Sequence, residues 1–372
     1  MNIQVAVREA GRQATAAAIA DCDIHPYPKS PKQLYPFLEG RWQRHLETYG
    51  LRSRQGFETG PAYPKGQPEA ARRDAYPPNG GKPGSDLDFM RKQHLDPNHV
   101  ALGILNPLRS GQGLQNGDFA HAYCRAVNDW QVAEWTSKEP RLKASVLVHY
   151  EDGPGAAAEI ERRADDANFA QVLLLSRTAE PLGQRRYWPI FAAAERANLP
   201  VGVHAFGYGG YPVTGGGWPS YYIEEMVGHS QCCQSLLTSM VIEGVFEHFP
   251  RLKVVLIEAG FAWLPALKWR LDKIWNRLRD ETPHLKRPPS EYIRDHVWIT
   301  TQPVEEPEPR THLMDSIEWI GWDRVLFATD YPHWDFDDPA RALPLAFTDA
   351  QRRNLFFDNA RAVYGLAACE ST

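Results

Sequence analysis

Cysteine is scarce in this chain of 372 residues and is not arranged in obvious pairs. The five cysteines form an odd set without a Cys-x-x-Cys motif, and the adjacent Cys232 and Cys233 are poorly placed to bridge each other. This usage argues against a disulfide framework and is typical of a reduced, cytoplasmic protein.

The chain also lacks a strong charge of one sign and an uninterrupted N-terminal apolar segment. Its formal net charge of −5 is mild for this length, which gives no indication of nucleic-acid binding or of a polybasic membrane patch. Arg8, Glu9 and Arg12 interrupt the Ala-rich start, so Met1 to Ala20 predicts neither a signal peptide nor a membrane span. We therefore expect a small-molecule substrate and no nucleic-acid or membrane partner.

Apolar, strand-like runs that end at metal-binding residue types are the main feature that the chain does have. Side chains alternate along a strand, so Asp21, Asp23 and His25 share one face of the first run. Metal ligands on runs that lie far apart in the sequence can share one ion only if the ends of those strands converge in the fold. The four runs are Asp-Cys-Asp-Ile-His at 21 to 25, Val-Gly-Val-His at 201 to 204, Val-Val-Leu-Ile-Glu at 254 to 258 and Val-Leu-Phe-Ala-Thr-Asp at 325 to 330.

Strands and amphipathic helices alternate through most of the chain, which predicts an α/β fold. Eight strands separated by helices indicate a single (β/α)8 TIM barrel over residues 1 to 372, with the active site at the carboxyl ends of the strands. The predicted strands are 18–25, 99–105, 143–149, 170–176, 200–206, 252–258, 296–302 and 324–330.

A long insertion after the first strand, residues 26 to 88, interrupts this alternation and is rich in Pro, Gly and Tyr. It leaves the barrel directly after His25, so we expect it over the barrel mouth. Loops of this length are functional or disordered. The insertion is therefore a lid or subunit contact, with Trp42 and Tyr63 suited to burial, or a solvated excursion without a catalytic part.

The ordered set of motifs resembles the amidohydrolase-related family of metal-dependent barrels, which includes aminocarboxymuconate-semialdehyde decarboxylase and several aromatic-acid decarboxylases. The matching segments are those at 21–25 and 203–204, Gly-Val-Phe-Glu-His-Phe-Pro-Arg-Leu-Lys at 244–253 and Ala-Thr-Asp-Tyr-Pro-His at 328–333. The resemblance implies that His25, His204 and Asp330 bind metal directly. Asp23 takes the place of the first His in the His-x-His pair of many relatives.

Glu258 is the main departure from that family. The decarboxylases usually carry a His there as a proton carrier, whereas a carboxylate is anionic at neutral pH unless its pKa is raised. Near a metal we expect Glu258 to stay ionised. Three interpretations stay open: Glu258 ligates or bridges metal, carries a proton, or pairs with an arginine such as Arg177.

Two imidazoles with carboxylates suit Zn, Fe, Mn or Co better than Ca or Mg. One or two ions per chain are compatible with the donor set. His229, near a predicted helix start, is a further metal donor, a general acid/base, or only a helix cap. The predicted metal ligands are Asp23, His25, His204, Glu258 and Asp330.

Three more residues are predicted to contact substrate. His333 follows the last strand and could meet substrate or orient Asp330. Trp334 lies beside it, and Gln302 closes strand seven. Glu305 and Glu306, just beyond, are expected to face solvent.

The main functional expectation is a metal-dependent hydrolase that acts on a small carboxylate, amide or ester through a metal-activated water. Asp330 or Glu258 would take a proton, and His229 would deliver one. The alternatives are a non-oxidative decarboxylase, disfavoured by Glu258, an oxygen-activating iron or di-iron hydroxylase, and a metal-stabilised partner subunit of a hetero-oligomer. A homo- or hetero-oligomer is expected.

Overall fold

The computed structural model describes residues 18–51, 68–205 and 212–366. Eight parallel strands pair in sequence order around a nearly closed barrel, which confirms the predicted TIM-barrel class. The strands are β1 (Ile19–Ile24), β2 (Val100–Leu105), β3 (Leu142–Leu147), β4 (Phe169–Leu175), β5 (Val201–His204), β6 (Val254–Ile257), β7 (Val297–Thr300) and β8 (Val325–Leu326).

The barrel closes where β8 meets β1. The Cys22 N–H donates to the Phe327 carbonyl at 3.0 Å, and the His25 N–H donates to the Tyr331 carbonyl at 2.8 Å. The last strand is shorter than the predicted 324–330 because its continuation leaves regular geometry: the Thr329 N–H bonds the Asp21 carboxylate at 2.9 Å, and Asp330 has a φ of 61°.

Helices cover the outside of the barrel, which explains why every residue of β4 is buried. Among the described residues they are α1 (Gly40–Tyr49), α2 (Leu87–Met90), α3 (Gly117–Gln131), α4 (Gly153–Arg163), α5 (Trp188–Arg196), α6 (Tyr222–Ile242), α7 (Val245–His248), α8 (Leu264–Leu278), α9 (Pro289–His296), α10 (Thr311–Ile320), α11 (Asp349–Arg353) and α12 (Asn359–Val363). None of them is both long enough and apolar enough to cross a membrane.

Local chemistry explains several helix boundaries. Asn116 caps α3, its side chain accepting the Phe119 N–H at 3.0 Å. Gly244, with a φ of 79°, stands between α6 and α7 and separates them. A Cβ there would lie 2.7 Å from the His284 ring.

The described part of the insertion returns to the barrel mouth. The Trp334 N–H donates to the Ala70 carbonyl at 2.7 Å, and the Arg72 N–H donates to the Pro332 carbonyl at 3.0 Å. Trp42 packs elsewhere, against Phe119 on α3 at a ring-centroid distance of 5.1 Å. Tyr63 and the N-terminal segment 1–17 lie outside the described residues. A lid function for 26–88 stays a prediction.

Candidate metal centre

Four strand ends bring the five predicted metal ligands together. Asp23 belongs to β1 and His25 follows it, His204 ends β5, and Glu258 follows β6; Asp330 lies four residues beyond β8. His25 Nε2 lies 2.7 Å from Asp330 Oδ1 and 3.3 Å from Asp23 Oδ1. His204 Nε2 lies 3.4 Å from Asp23 Oδ2 and 3.1 Å from Glu258 Oε2.

The donor atoms are suited to a cation. Asp23 Oδ2, His25 Nε2 and both ring nitrogens of His204 are buried and have no hydrogen-bond partner among the described residues. Buried polar atoms in proteins are normally satisfied, yet here carboxylate oxygens stand within 3.4 Å without forming such bonds. Imidazole nitrogens and carboxylate oxygens around one point are the ligand set of Mn, Fe, Co or Zn.

His25 is oriented by its second ring nitrogen. Its Nδ1 donates to the Asn106 carbonyl at 2.7 Å. That bond places a proton on Nδ1 and leaves Nε2 directed at the cluster, as in many histidine metal ligands.

Two of the five candidate ligands have a left-handed backbone. The φ angles of Glu258 and Asp330 are 55° and 61°, a conformation that costs about 1–3 kcal/mol for a residue other than glycine and concentrates at functional sites. Glu305 supports the loop after Glu258, since its Oε1 accepts the N–H groups of Phe261 and Ala262 at 2.8 and 3.0 Å. The prediction that Glu305 faces solvent is wrong, because these bonds turn it inward.

Burial and crowded carboxylates shift the pKa values of the acidic residues in this cluster. Burial, followed by repulsion from Asp330 and Asp335, raises the pKa of Glu258 well above its ordinary value. Burial likewise raises the pKa of Asp330 to about 6, against the effect of His25. Burial opposes ionisation of Asp23 too, but His25 and His204 lower its pKa far below the ordinary range.

A cavity of about 130 Å³ opens beside Glu258 and is lined by His229, His333 and Trp334 among others. His333 Nδ1 donates to Asp330 Oδ1 at 2.6 Å, and its ring stacks on His25 at 4.3 Å. Burial and neighbouring cationic groups lower the pKa of both His229 and His333 to about 3, so both rings are neutral at pH 7.

Two expected contacts differ in the structure. Gln302 is fully buried and not among the cavity-lining residues; its Nε2 donates to Asp330 Oδ2 at 3.4 Å and Asp335 Oδ2 at 3.3 Å. Arg177 forms an ion pair with Glu225 rather than with Glu258. Gln302 therefore contacts Asp330 and Asp335 and does not line the cavity itself.

Sequence reasoning missed several cavity residues that a helical pattern could have identified. Tyr222 and Met226 precede His229 on α6 at spacings that place all three on one face. Asp335 lies two residues beyond His333 and lines the same cavity; burial and repulsion from Asp330 raise its pKa to about 7.

Comparison with known proteins identifies the family of this chain. A sequence model of the amidohydrolase family matches residues 20–366. The chain belongs to the amidohydrolase family. This confirms the resemblance carried by the strand-end motifs.

Two similar curated proteins are decarboxylases. Gamma-resorcylate decarboxylase of Polaromonas sp. (strain JS666) is 26% identical over 302 residues, covering 76% of this chain and 88% of the relative. The protein of the same name from Rhizobium sp. (strain MTP-10005) is 27% identical over 303 residues with the same coverage.

Solved structures show the same fold. A 5-carboxyvanillate decarboxylase from Novosphingobium aromaticivorans, in complex with manganese and 4-hydroxy-3-methoxy-5-nitrobenzoic acid, superposes with a TM-score of 0.71 at 21% identity, covering 96% of this chain and 97% of that one.

The expectation of a hydrolase is wrong, because the curated relatives that span three quarters of this chain are decarboxylases. The sequence disfavoured a decarboxylase because Glu258 was expected to stay ionised near a metal. Burial, followed by repulsion from Asp330 and Asp335, raises the pKa of this carboxyl well above its ordinary value.

Proposed function

We propose that this protein is a metal-dependent, non-oxidative decarboxylase of a small aromatic carboxylic acid. One observation carries the proposal: a buried cluster of metal-ligand residues stands directly beside the Glu258 carboxyl at the wall of a cavity. The decarboxylase relatives, named for resorcylate and carboxyvanillate, support this substrate class.

Asp23, His25, His204 and Asp330 would hold the ion, and manganese in the related structure favours Mn²⁺ as the first ion to test. When bound, the ion supplies the positive charge that draws an anionic substrate to the cavity. His333 keeps Asp330 in place through its 2.6 Å hydrogen bond.

Decarboxylation breaks the bond between a carbon atom and its carboxylate. CO₂ leaves, the electron pair stays on the carbon, and that carbon must take one proton. Glu258 is our candidate for the donor, since it lines the cavity and its pKa is raised. It then regains a proton from solvent before the next turnover.

The other cavity residues suit a planar substrate. Trp334, Tyr222 and Met226 offer apolar and aromatic surface, and the neutral His229 offers a hydrogen-bonding ring without charge. If the substrate carboxylate is held between this wall and the metal centre, the ring carbon that bears it faces Glu258.

The test is an anaerobic assay of the Mn²⁺-loaded protein with a panel of hydroxybenzoates that includes γ-resorcylate and 5-carboxyvanillate. We expect one CO₂ to be released for each phenol product that forms, and we expect the reaction to proceed without oxygen. Turnover that requires oxygen would instead identify an oxygenase, and no turnover of the whole panel would contradict the proposal. An oligomeric state and a cytoplasmic location stay predictions from the sequence.

A further inference from the structure

Asn106, directly after β2, is fully buried and bonds to two candidate metal ligands at once. Its main-chain carbonyl accepts the Nδ1–H of His25 at 2.7 Å. Its side-chain Nδ2 donates to Asp23 Oδ1 at 2.8 Å and to the Cys22 carbonyl at 3.2 Å. The sequence pattern did not single out this residue.

The side-chain amide of Asn106 is held in one orientation. Its Oδ1 accepts hydrogen bonds from Ser145 Oγ and Gln171 Nε2, both at 2.8 Å. Gln171 is held in turn, because its Oε1 accepts from Tyr364 OH at 3.3 Å. With two donors against the oxygen and two acceptors against the nitrogen, a flipped amide would lose all four bonds.

This arrangement fixes the orientation of both ligands. Asp23 Oδ1 is occupied by the Asn106 amide, whereas Oδ2 has no hydrogen-bond partner among the described residues. His25 likewise has Nδ1 bonded to Asn106 and Nε2 without such a partner. One residue therefore directs a carboxylate and an imidazole toward the same point.

We propose that Asn106 is the positioning residue that sets the metal affinity of this centre by orienting Asp23 and His25 together. The inference rests on the metal-binding part of the proposed function and not on the reaction. Residues that orient metal ligands in this way typically change affinity by about 10- to 100-fold when they are replaced.

Asn106→Asp is the sharpest variant. It keeps the shape of the side chain and an oxygen for Ser145 and Gln171, but it places an acceptor where an N–H donates to Asp23. The bond from His25 to the main-chain carbonyl is unaffected by the change. The variant thus removes the donation to Asp23, together with the longer one to the Cys22 carbonyl, and leaves the His25 bond in place.

Asn128 provides a matched control. It is also fully buried, and its Nδ2 donates to a carboxylate, Glu159 Oε1, at 2.8 Å, while its Oδ1 accepts the Leu147 N–H at 2.8 Å. It belongs to α3 on the outside of the barrel and contacts none of the candidate ligands in any hydrogen bond described. Asn128→Asp makes the same chemical change away from the metal centre.

The experiment titrates metal-free protein with Mn²⁺ and follows the electron paramagnetic resonance signal of the free ion. We expect Asn128→Asp to keep the wild-type Kd within about twofold and Asn106→Asp to raise it by about 10- to 100-fold. Ser145→Ala, which leaves Gln171 as the other donor to Asn106, should raise Kd by about two- to tenfold.

An unchanged Kd in folded Asn106→Asp, or an equal rise in Asn128→Asp, would overturn the proposal. If Asn106→Asp does not fold, Ser145→Ala decides the question, and a wild-type Kd in that variant also counts against the role of Asn106. Wild-type protein that binds no Mn²⁺ would remove both this inference and the metal centre. If Asn106→Asp loses Mn²⁺ affinity and Asn128→Asp does not, the role of Asn106 is supported even when the wild-type protein shows no decarboxylation. That result would contradict only the proposed reaction.

Discussion

Glu258 Oε2 lies 3.1 Å from His204 Nε2, where the carboxyl ends of the neighbouring strands β6 and β5 meet. A carboxyl in this position could bind the ion or supply the proton. Its location on the cavity wall and its raised pKa favour the second role.

Glu258→Gln should separate these roles. We expect the variant to keep its metal, because four other ligands remain, and to lose about 10²- to 10⁴-fold in kcat, because an amide cannot donate the proton that a carboxylic acid does. Metal content by mass spectrometry and the rate of CO₂ release are the two measurements. Loss of metal together with rate would show that Glu258 is a ligand; full activity would leave it a structural residue.

His204→Ala should remove most of the bound metal while the barrel still folds. Neither ring nitrogen of His204 has a hydrogen-bond partner among the described residues, so the truncation loses little protein bonding. His296→Ala is the control: that ring is buried beside the amino end of β7 and bonds the Leu252 carbonyl at 2.8 Å. Equal metal content in the two variants would refute the site.

Glu139 should make the free energy of unfolding depend on pH in the acidic range. Hydrogen bonds from Arg141 and Arg91, with Arg141 the stronger influence, lower its pKa to about 2 against the effect of burial. An unfolded Glu has a pKa of about 4.3, so this stabilisation is complete above that pH and is lost as pH falls toward 2.

Replacing Glu139 by Gln should therefore lower the free energy of unfolding by about 1–2 kcal/mol at pH 7, a value that allows for the partial exposure of both arginines. Urea unfolding of the wild type and the variant at pH 7 and at pH 3 is the measurement. The difference should shrink at pH 3; a difference independent of pH would contradict the assignment to the Glu139 charge.

Gly84→Ala should disturb the attachment of the insertion to β1. Gly84 has a φ of 73°, and a Cβ there would lie 2.3 Å from the His25 carbonyl oxygen. Gly50 is the matched control, with a φ of 66° and no neighbour within 4 Å. We expect Gly50→Ala to cost about 1–2 kcal/mol from backbone strain alone.

The additional clash should make Gly84→Ala at least about 1 kcal/mol more destabilising than Gly50→Ala in urea unfolding. It should also expose the insertion to limited proteolysis. Equal effects of the two substitutions would mean that the close approach to His25 is relaxed at little cost.

The periodicity of the sequence determined the barrel and the direction of its strands, because strand and helix patterns repeat locally. It also placed Asp23, His25, His204, Glu258 and Asp330 at the end where parallel strands converge. These patterns lie within short segments of the chain, so predicting them requires no knowledge of tertiary contacts.

What the local pattern could not decide depended on neighbours from distant strands. The raised pKa of Glu258 follows from its burial and from carboxylates beyond β8, and an ion-pair partner of Arg177 comes from α6. The role that we propose for Asn106 exists only because β2 lies against β1. Side chains acquire their partners, and thus their charge states, when strands pair across tens or hundreds of residues. Only the tertiary structure decides those pairings.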